Sequence, residues 1–439
     1  MQKIEIKNFG PITELTLDIK DFMLFIGPQA SGKSTIAKTI FFFKSLNDDL
    51  VKFFMEAVER NDFSKPTGSF GKIVRQKFMD YFGGSKHLSN IFLKYYFSPE
   101  IWIQITLEKE HKYISPTFSS KFSSEINKLA KTANDFSKSL GIKNTSLLTS
   151  KDLLQIENNK RLFYSNITAK CNELFGEDRE LLFIPAGRSL LATLSDQLQF
   201  IEPRTLDYLM KTFVNKINLL RPIFNQSLND IITARMALTK SDIDFSKIRL
   251  AEKLINRILK GKYQFDKEGE KIYIGNTNKF VRLNFASSGQ QESLWILLLL
   301  FIIILEQQKI FIVIEEPEAH LFPEAQKEIS ALIALLSNMK QSQVIITTHS
   351  PYILASVNNL ILAHKIGKKF PHKVTPKINK HLWINRNKIF AAMVQSGIVS
   401  EIIDPEFDII QQECIDSVSQ IINEEFDYLY QYETDETNA

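Results

Sequence analysis

Cysteine is nearly missing from this chain: Cys171 and Cys414 are the only two in 439 residues. Neither stands in a C-x-x-C pattern, which argues against a disulfide framework or a zinc site and fits a reducing cytoplasm. Long hydrophobic runs are missing too. The longest uncharged apolar stretch, Leu294 to Leu305, spans 12 residues, short of the ~20 a membrane helix needs, so it predicts a buried helix and no membrane partner. No apolar stretch near Met1 leads to a small-residue cleavage site, so the expected location is cytoplasmic. Acidic residues are absent between Glu328 and Glu401, where Lys340, Lys365, Lys368, Lys369, Lys373, Lys377, Lys380, Arg386 and Lys388 supply nine cations. From Glu401 onward Lys and Arg are absent instead, and Asp404, Glu406, Asp416, Glu424, Glu425, Asp427 and Glu436 recur. The C-terminal region is therefore a strong charge dipole, while a net charge of +4 neither demands nor excludes nucleic acid. With 44% hydrophobic and 24% charged residues, the chain can bury a sizeable core.

The residues that are present organise the chain in segments. Lys3–Phe9 and Ile12–Ile19 alternate as strands around a Gly10-Pro11 turn, and Phe22–Ile26 is a third strand. A glycine-rich loop and a helix from Lys33 to about Phe43 follow. From Lys44 to about residue 180 the pattern reads as mainly helical, with breaks at Pro66-Thr67-Gly68 and Gly83-Gly84-Ser85 and one alternating segment, Ile101–Ile114. No sustained heptads appear there, so a compact insertion is expected rather than a coiled-coil arm. The strand Leu181–Ile184 resumes the core pattern, helices fill Leu190 to about Lys260, and Tyr263–Phe265 with Lys271–Ile274 predict a hairpin around Glu268-Gly269. Phe280–Phe285, the buried helix, the strand Ile310–Ile314, the helix Pro323–Met339 and the strand Val344–Thr347 complete the core. Expected boundaries are 1–43 with 181–366 for the core, 44–180 for the insertion, and 367–439 for a small mixed region, basic then acidic. Strands alternating with helices predict a three-layer α/β fold.

Gly27-Pro28-Gln29-Ala30-Ser31-Gly32-Lys33-Ser34 fits G-x-x-x-x-G-K-[ST], after an apolar strand and before a helix. Its backbone N–H groups, with Thr35 in the first helical turn, can face phosphates; Lys33 can reach the β- and γ-phosphates, and the Ser34 hydroxyl can coordinate Mg²⁺. Ile310–Ile314 runs into Glu315-Glu316. Adjacent strand residues point to opposite faces, so Glu315 can serve the Mg²⁺ shell and Glu316 the attacking water as general base. His349 ends another buried strand and can sense the γ-phosphate through its imidazole. Ser287-Ser288-Gly289-Gln290-Gln291 opens the buried helix as an N-cap, with exposed N–H groups that also suit phosphate.

Together these motifs resemble the ABC-type ATPases, in which a short serine-glycine signature precedes the carboxylate strand. The resemblance implies that Ser288 and Gly289 touch the γ-phosphate held by a second subunit, although Ser287 and Gln290 depart from the usual L-S-G-G-Q. Glu315-Glu316-Pro317-Glu318-Ala319-His320-Leu321-Phe322-Pro323, Thr347-Thr348-His349-Ser350-Pro351-Tyr352, Ile6-Lys7-Asn8-Phe9-Gly10-Pro11-Ile12 and Ile184-Pro185-Ala186-Gly187-Arg188-Ser189 are similar to the OLD-like branch, related to RecF and SMC heads. That branch implies a P-loop head with a mixed sheet plus an antiparallel β subdomain and a large helical insertion, binding ATP and Mg²⁺, with Arg188 near the nucleotide. Only about 72 residues follow Gly367, too few for the Toprim nuclease unit that many OLD proteins add.

By the same resemblance, the expected activity is ATP hydrolysis in a homodimer or higher homo-oligomer. Nucleotide state would control a separate effector, a nuclease or toxin, in a bacterial anti-phage system. A RecF-like DNA-repair ATPase and a nucleotide-binding scaffold that hardly hydrolyses are the alternatives. The stretch Lys365–Lys388, with Phe370, Trp383 and nearby Phe390, suits either a nucleic-acid groove or pairing with the acidic tail.

Overall fold

The computed structural model describes residues 2–84, 88–108, 113–141, 150–189, 207–238, 243–275, 277–411 and 423–429. Cys414, Asp416 and the tail from Glu433 lie outside them. At the centre is a six-stranded sheet, ordered β14-β13-β3-β12-β11-β7. Its strands are β3 (Phe22–Ile26), β7 (Glu180–Ile184), β11 (Ile310–Glu315), β12 (Gln343–Thr348), β13 (Ile389–Gln395) and β14 (Ile398–Glu401). The first five run parallel, and β14 pairs antiparallel with β13.

Strands buried on both faces read as unbroken apolar runs, and β3, all five residues buried, is one. Its alternate side chains enter two cores. Phe22, Leu24 and Ile26 pack with Ile310, Ile312 and Ile314 of β11 on one side. Met23 and Phe25 pack with Phe311 and Val313 on the other.

The second face carries α1 (Lys33–Arg60) and an antiparallel sheet ordered β2-β1-β4-β5-β6. These strands are β1 (Lys3–Phe9), β2 (Ile12–Asp18), β4 (Phe92–Ser98), β5 (Ile101–Glu108) and β6 (Tyr113–Phe118). Phe41 of α1 lies 5.3 Å from Phe183 and 6.0 Å from Phe311 between ring centroids; such pairs add about 0.5–1.5 kcal/mol each beyond area burial. Three further helices, α2 (Pro66–Phe82), α3 (Ser120–Gly141) and α4 (Ser150–Phe175), complete this layer.

The opposite face carries α5 (Tyr208–Leu220), α6 (Leu228–Leu238), α7 (Phe245–Leu259), α8 (Ser288–Glu306), α9 (Pro323–Ser337) and α10 (Pro351–Gly367). A three-stranded sheet of β8 (Gly261–Asp266), β9 (Gly269–Ile274) and β10 (Phe280–Arg282) flanks them, and α11 (Pro371–Val374) follows α10. By length and composition α8 is apolar enough to cross a membrane, yet 83% of its apolar window is buried in the core.

The architecture is the expected α/β P-loop head with a mixed sheet and an antiparallel β subdomain. The segmentation differs. The division at residue 43 falls inside α1, which runs unbroken to Arg60. The stretch 44–180 is not only helical: β4, β5 and β6 extend the β1–β2 sheet, with Ile4 opposite Tyr95. Pro66 starts a helix rather than breaking one, because a proline at the first helical position loses no hydrogen bond. The region after 367 supplies β13, which pairs directly with β3.

Candidate nucleotide site

Strand register places the candidate residues in one row. Ile26, the last residue of β3, pairs with Thr348 of β12; Thr347 pairs with Glu315 of β11; Ile314 pairs with Ile184 of β7. The carboxyl ends of four parallel strands thus carry Gly27, His349, Glu315 with Glu316, and Pro185 side by side. The crevice beyond such strand ends is where ligands bind in open α/β sheets.

Gly27 is required by close approach. A Cβ there would lie 2.0 Å from the carbonyl oxygen of Val394, so the loop runs directly against β13. Pro28, Gln29 and Ala30 are exposed, Gly32 is the N-cap of α1, and Ser34 in the first turn is exposed. The unpaired N–H groups and positive dipole end of this 28-residue helix therefore face outward with the Ser34 hydroxyl; Thr35 is half-buried behind them. Lys33 is buried, and its ammonium donates to the carbonyl oxygens of Gly27 (2.9 Å) and Pro28 (2.7 Å). Burial pulls its pKa below the usual lysine value, against the opposing pull of Glu316 and Glu318.

Glu315 is buried, with one carboxylate oxygen accepting from the Ala186 N–H at 3.3 Å. Its other oxygen is buried with no hydrogen-bond partner. A buried acceptor left unpaired is costly, and this one fits a hard divalent cation or a water bound to it. Glu315 and the Ser34 hydroxyl are the residues that would offer oxygen to Mg²⁺. No cluster of three or more His, Cys, Asp or Glu capable of holding a metal occurs among the described residues.

Glu316 departs from the strand with φ +44°, a left-handed backbone that non-glycine residues rarely adopt and that marks functional turns. Its N–H bonds the Thr347 carbonyl at 2.8 Å, and its carboxylate lies 3.3 Å from His349 Nε2, both side chains partly exposed. The two side chains thus separate: Glu315 is buried at the strand end, and Glu316, on the turn, is partly exposed beside His349.

Glu318 belongs to the site as well, although its motif alone assigns it no role. It is buried, and one carboxylate oxygen accepts from the Thr348 hydroxyl (2.6 Å) and the His349 N–H (2.8 Å). Burial raises its pKa against those two donors. It fixes the backbone from which His349 reaches Glu316. The signal lies in the paired Glu316-x-Glu318 and Thr348-His349 motifs, whose strands are neighbours.

Arg188 does not lie on the surface: it is 1% exposed and packs behind the two carboxylates. Its Nε donates to the Glu292 carbonyl (3.1 Å), one terminal nitrogen to the carbonyls of Pro185 and Glu315 (2.7 Å for Glu315), and the other to the Glu316 carbonyl (2.8 Å), with the Glu292 carboxylate at 3.5 Å. Those contacts engage four of the five donors a guanidinium has in hydrogen bonds to carbonyls, with the Glu292 carboxylate as ion-pair partner.

Ser287 caps α8 through a complete capping box with Gln290. Gly289 is held close: a Cβ would lie 2.7 Å from the His320 carbonyl oxygen. The helix start therefore abuts the loop that follows the carboxylate strand. Phe285 (75% exposed), Phe322 (72%) and Tyr352 (52%) stand on the segments flanking Ser288, Glu316 and His349.

Fold and site define a P-loop nucleotide-binding head. The chain belongs to the AAA ATPase domain family, whose model matches residues 1–183 and 127–354. No curated protein matches it. Among solved structures it is similar to an SmcHead bound to the C-winged helix domain of ScpA, at 14% identity, covering 91% of this chain and 96% of that one with a TM-score of 0.37. It is also similar to the SMC head domain from Thermotoga maritima (13%, 91% and 97%, TM-score 0.35). A third is an Smc head with an extended coiled coil bound to the C-terminal domain of ScpA, derived from Pyrococcus furiosus (13%, 92% and 96%, TM-score 0.36).

Proposed function

We propose that this chain hydrolyses ATP with Mg²⁺ at a site completed by a second copy, and that nucleotide state controls a partner protein. The observation that carries the reading is the row of Gly27, Glu315 with Glu316, and His349 at adjacent strand ends, with Lys33 of the following helix bonded back to Gly27 and the capped start of α8 packed on the loop after Glu316. In this reading the loop and Lys33 bind the phosphates, Ser34 and Glu315 hold Mg²⁺, which supplies charge neutralisation, and Glu316 takes the proton of the attacking water with His349 orienting it. Ser288 and Gly289 present their N–H groups to the nucleotide of the second copy. The exposed Phe285, Phe322 and Tyr352, on the segments that flank Ser288, Glu316 and His349, support that assembly, since exposed large apolar side chains suit an interaction surface.

The partner we propose is a separate effector, a nuclease or toxin of an anti-phage system, on the strength of the OLD-like motifs. The test of the composite site is Ser288→Arg. Light scattering should show a Mg-ATP-dependent dimer for the wild type and a monomer for the variant, with ATP binding retained. A dimer independent of nucleotide, or full turnover by the monomer, would overturn the reading.

A second reading, DNA binding in the manner of a RecF-like ATPase, has its own support. Lys368, Lys369, Lys373, Lys377 and Lys380 are exposed and form no ion pair among the described residues, whereas Arg386 lies near Glu401 and Asp408, and Lys388 pairs with Asp21. Phe370 is exposed beneath Lys373, 5.3 Å from its ring. Trp383 is not available for base stacking: it is half-buried, its indole N–H donating to the Ile378 carbonyl. Reversing Lys368, Lys369 and Lys373 to Glu should weaken duplex binding and flatten its log–log salt slope by about 3, near 0.9 per lost phosphate contact. Binding unchanged by the reversal would exclude this surface.

A further inference from the structure

Arg188 and Glu292 form a buried ion pair that the chemistry proposed above does not use. Glu292 is 2% exposed and stands one turn into α8, four residues after Ser288. Its carboxylate accepts from the backbone N–H groups of Arg188 (2.9 Å) and Ser189. Arg188 in turn holds the carbonyls of Glu315 and Glu316 at 2.7 and 2.8 Å. Its charge is desolvated by burial, with Glu292 the largest opposing influence.

Stability does not account for such a pair. Two buried charges cost several kcal/mol each to desolvate, and apolar residues of the same volume commonly hold a fold as well or better. What the pair does provide is geometry. It links two elements far apart in the sequence: the helix that opens with the signature, and the left-handed turn at Glu316, which the surroundings must over-determine to persist. Gly289 supplies a second contact between the same elements, packed against the His320 carbonyl.

We infer that Arg188 and Glu292 are positioning residues which transmit engagement of the α8 N-terminus by a second head's nucleotide to the Glu316 turn of the same head, so that hydrolysis at one site depends on occupancy of the other. This rests on the composite-site reading and goes beyond it, because a composite site alone requires no communication within a head. When Ser288 and Gly289 are drawn onto a phosphate, α8 shifts along its axis, Glu292 carries the 188–189 backbone with it, and the guanidinium resets the Glu315 and Glu316 carbonyls. Arg188 and Glu292 themselves touch no substrate in this linkage.

The experiment uses the full chain. Glu292→Gln is near-isosteric but keeps an acceptor for only one of the N–H groups of Arg188 and Ser189 and sets an amide donor against the other. Its ATP affinity should match wild type, kcat should fall up to about 10²-fold, the scale on which misplacing a reacting group acts, and the Hill coefficient should fall from about 2 toward about 1. Arg188→Lys should behave alike, since it keeps charge but not the fork. A merely structural role would lower the melting temperature and leave the Hill coefficient unchanged. Should both variants misfold, hydrogen exchange decides: Mg-ATP should slow exchange of the 316–320 amides in the wild type and much less in Ser288→Arg, although both bind ATP. Equal protection in the two, or a folded Glu292→Gln chain with wild-type kcat and cooperativity, overturns the linkage. A wild-type chain with no nucleotide-dependent dimer would instead overturn the composite site.

Discussion

Glu316→Gln will bind Mg-ATP with wild-type affinity and hydrolyse it about 10²–10⁴-fold more slowly, the range that a positioned general base contributes. Glutamine keeps the size of the side chain, so it can retain the 3.3 Å approach to His349 and needs no change in the left-handed backbone at 316. What it loses is the lone pair that takes a proton. Binding should survive because the loop and Lys33, which Glu316→Gln leaves in place, are the groups proposed to hold the phosphates, and Glu318 remains to oppose the loss of that lysine's proton. Single-turnover phosphate release and equilibrium binding of a fluorescent ATP analogue, measured side by side, separate the two effects. The variant should also accumulate as the ATP-bound dimer, since the step that dissolves it is blocked. Unchanged turnover would remove Glu316 from the mechanism. Loss of binding along with turnover would mean that the Glu316 carboxylate holds the metal, the role proposed for Glu315.

The parts of this site that are legible in the sequence share one property: the chemistry sits at the end of an apolar run with both faces buried. β3, β11 and β12 are such runs, and each terminates within two residues of Gly27, Glu316 or His349. The capping box at Ser287 and Gln290 is legible for the same local reason. What is hidden depends on partners distant in the chain. β4 has no purely polar face, because Lys94 lies over the rings of Tyr96 and Trp102 at 4.8 and 4.0 Å and aromatic residues occupy both sides, so its alternation is masked. Nothing within β13 signals that it pairs with β3, and only the contact of Val394 with Gly27 shows why the loop needs glycine there. Arg188 stands in a motif, but nothing local discloses that its guanidinium is met by carbonyls from residues 185, 292, 315 and 316.

The second large effect concerns the junction of α1 with the start of β7. Lys44 and Glu177 pair there with side chains 0% and 2% exposed. The ammonium also donates to Gln2 Oε1 at 2.7 Å and lies 4.7 Å above the Phe311 ring, while Arg179 bonds the same carboxylate at 3.0 Å. Glu177→Leu should destabilise the fold by about 3–5 kcal/mol, because removing one member of a buried pair strands the other. Adding Lys44→Met to that variant should restore most of the loss, since the pair is replaced by apolar volume. Charge, and not shape, sets the cost, and pH tests this directly. Burial drives the Lys44 pKa down from 10.5 to about 8, more strongly than Glu177 holds it up. The unfolded chain therefore binds the extra proton between those two values, and this group's contribution to stability rises with pH across that window. Below pH of about 8 Lys44 is charged in both states and the penalty is at its fullest, about 3 kcal/mol at 1.36 kcal/mol per pKa unit. Buried Cys171, pushed up to about 12, and half-buried Tyr81 with buried Tyr95 and Tyr263, also pushed up, act in the opposite direction above their own ordinary values. The informative quantity is thus the stability of wild type minus that of Lys44→Met, by urea titration at about pH 7.5, 8.5 and 9.5, in which those groups cancel. The difference should climb with pH. A flat difference would show that Lys44 keeps its proton in the folded chain throughout, and that the helix carrying the phosphate loop is fastened at this junction by an ordinary ion pair.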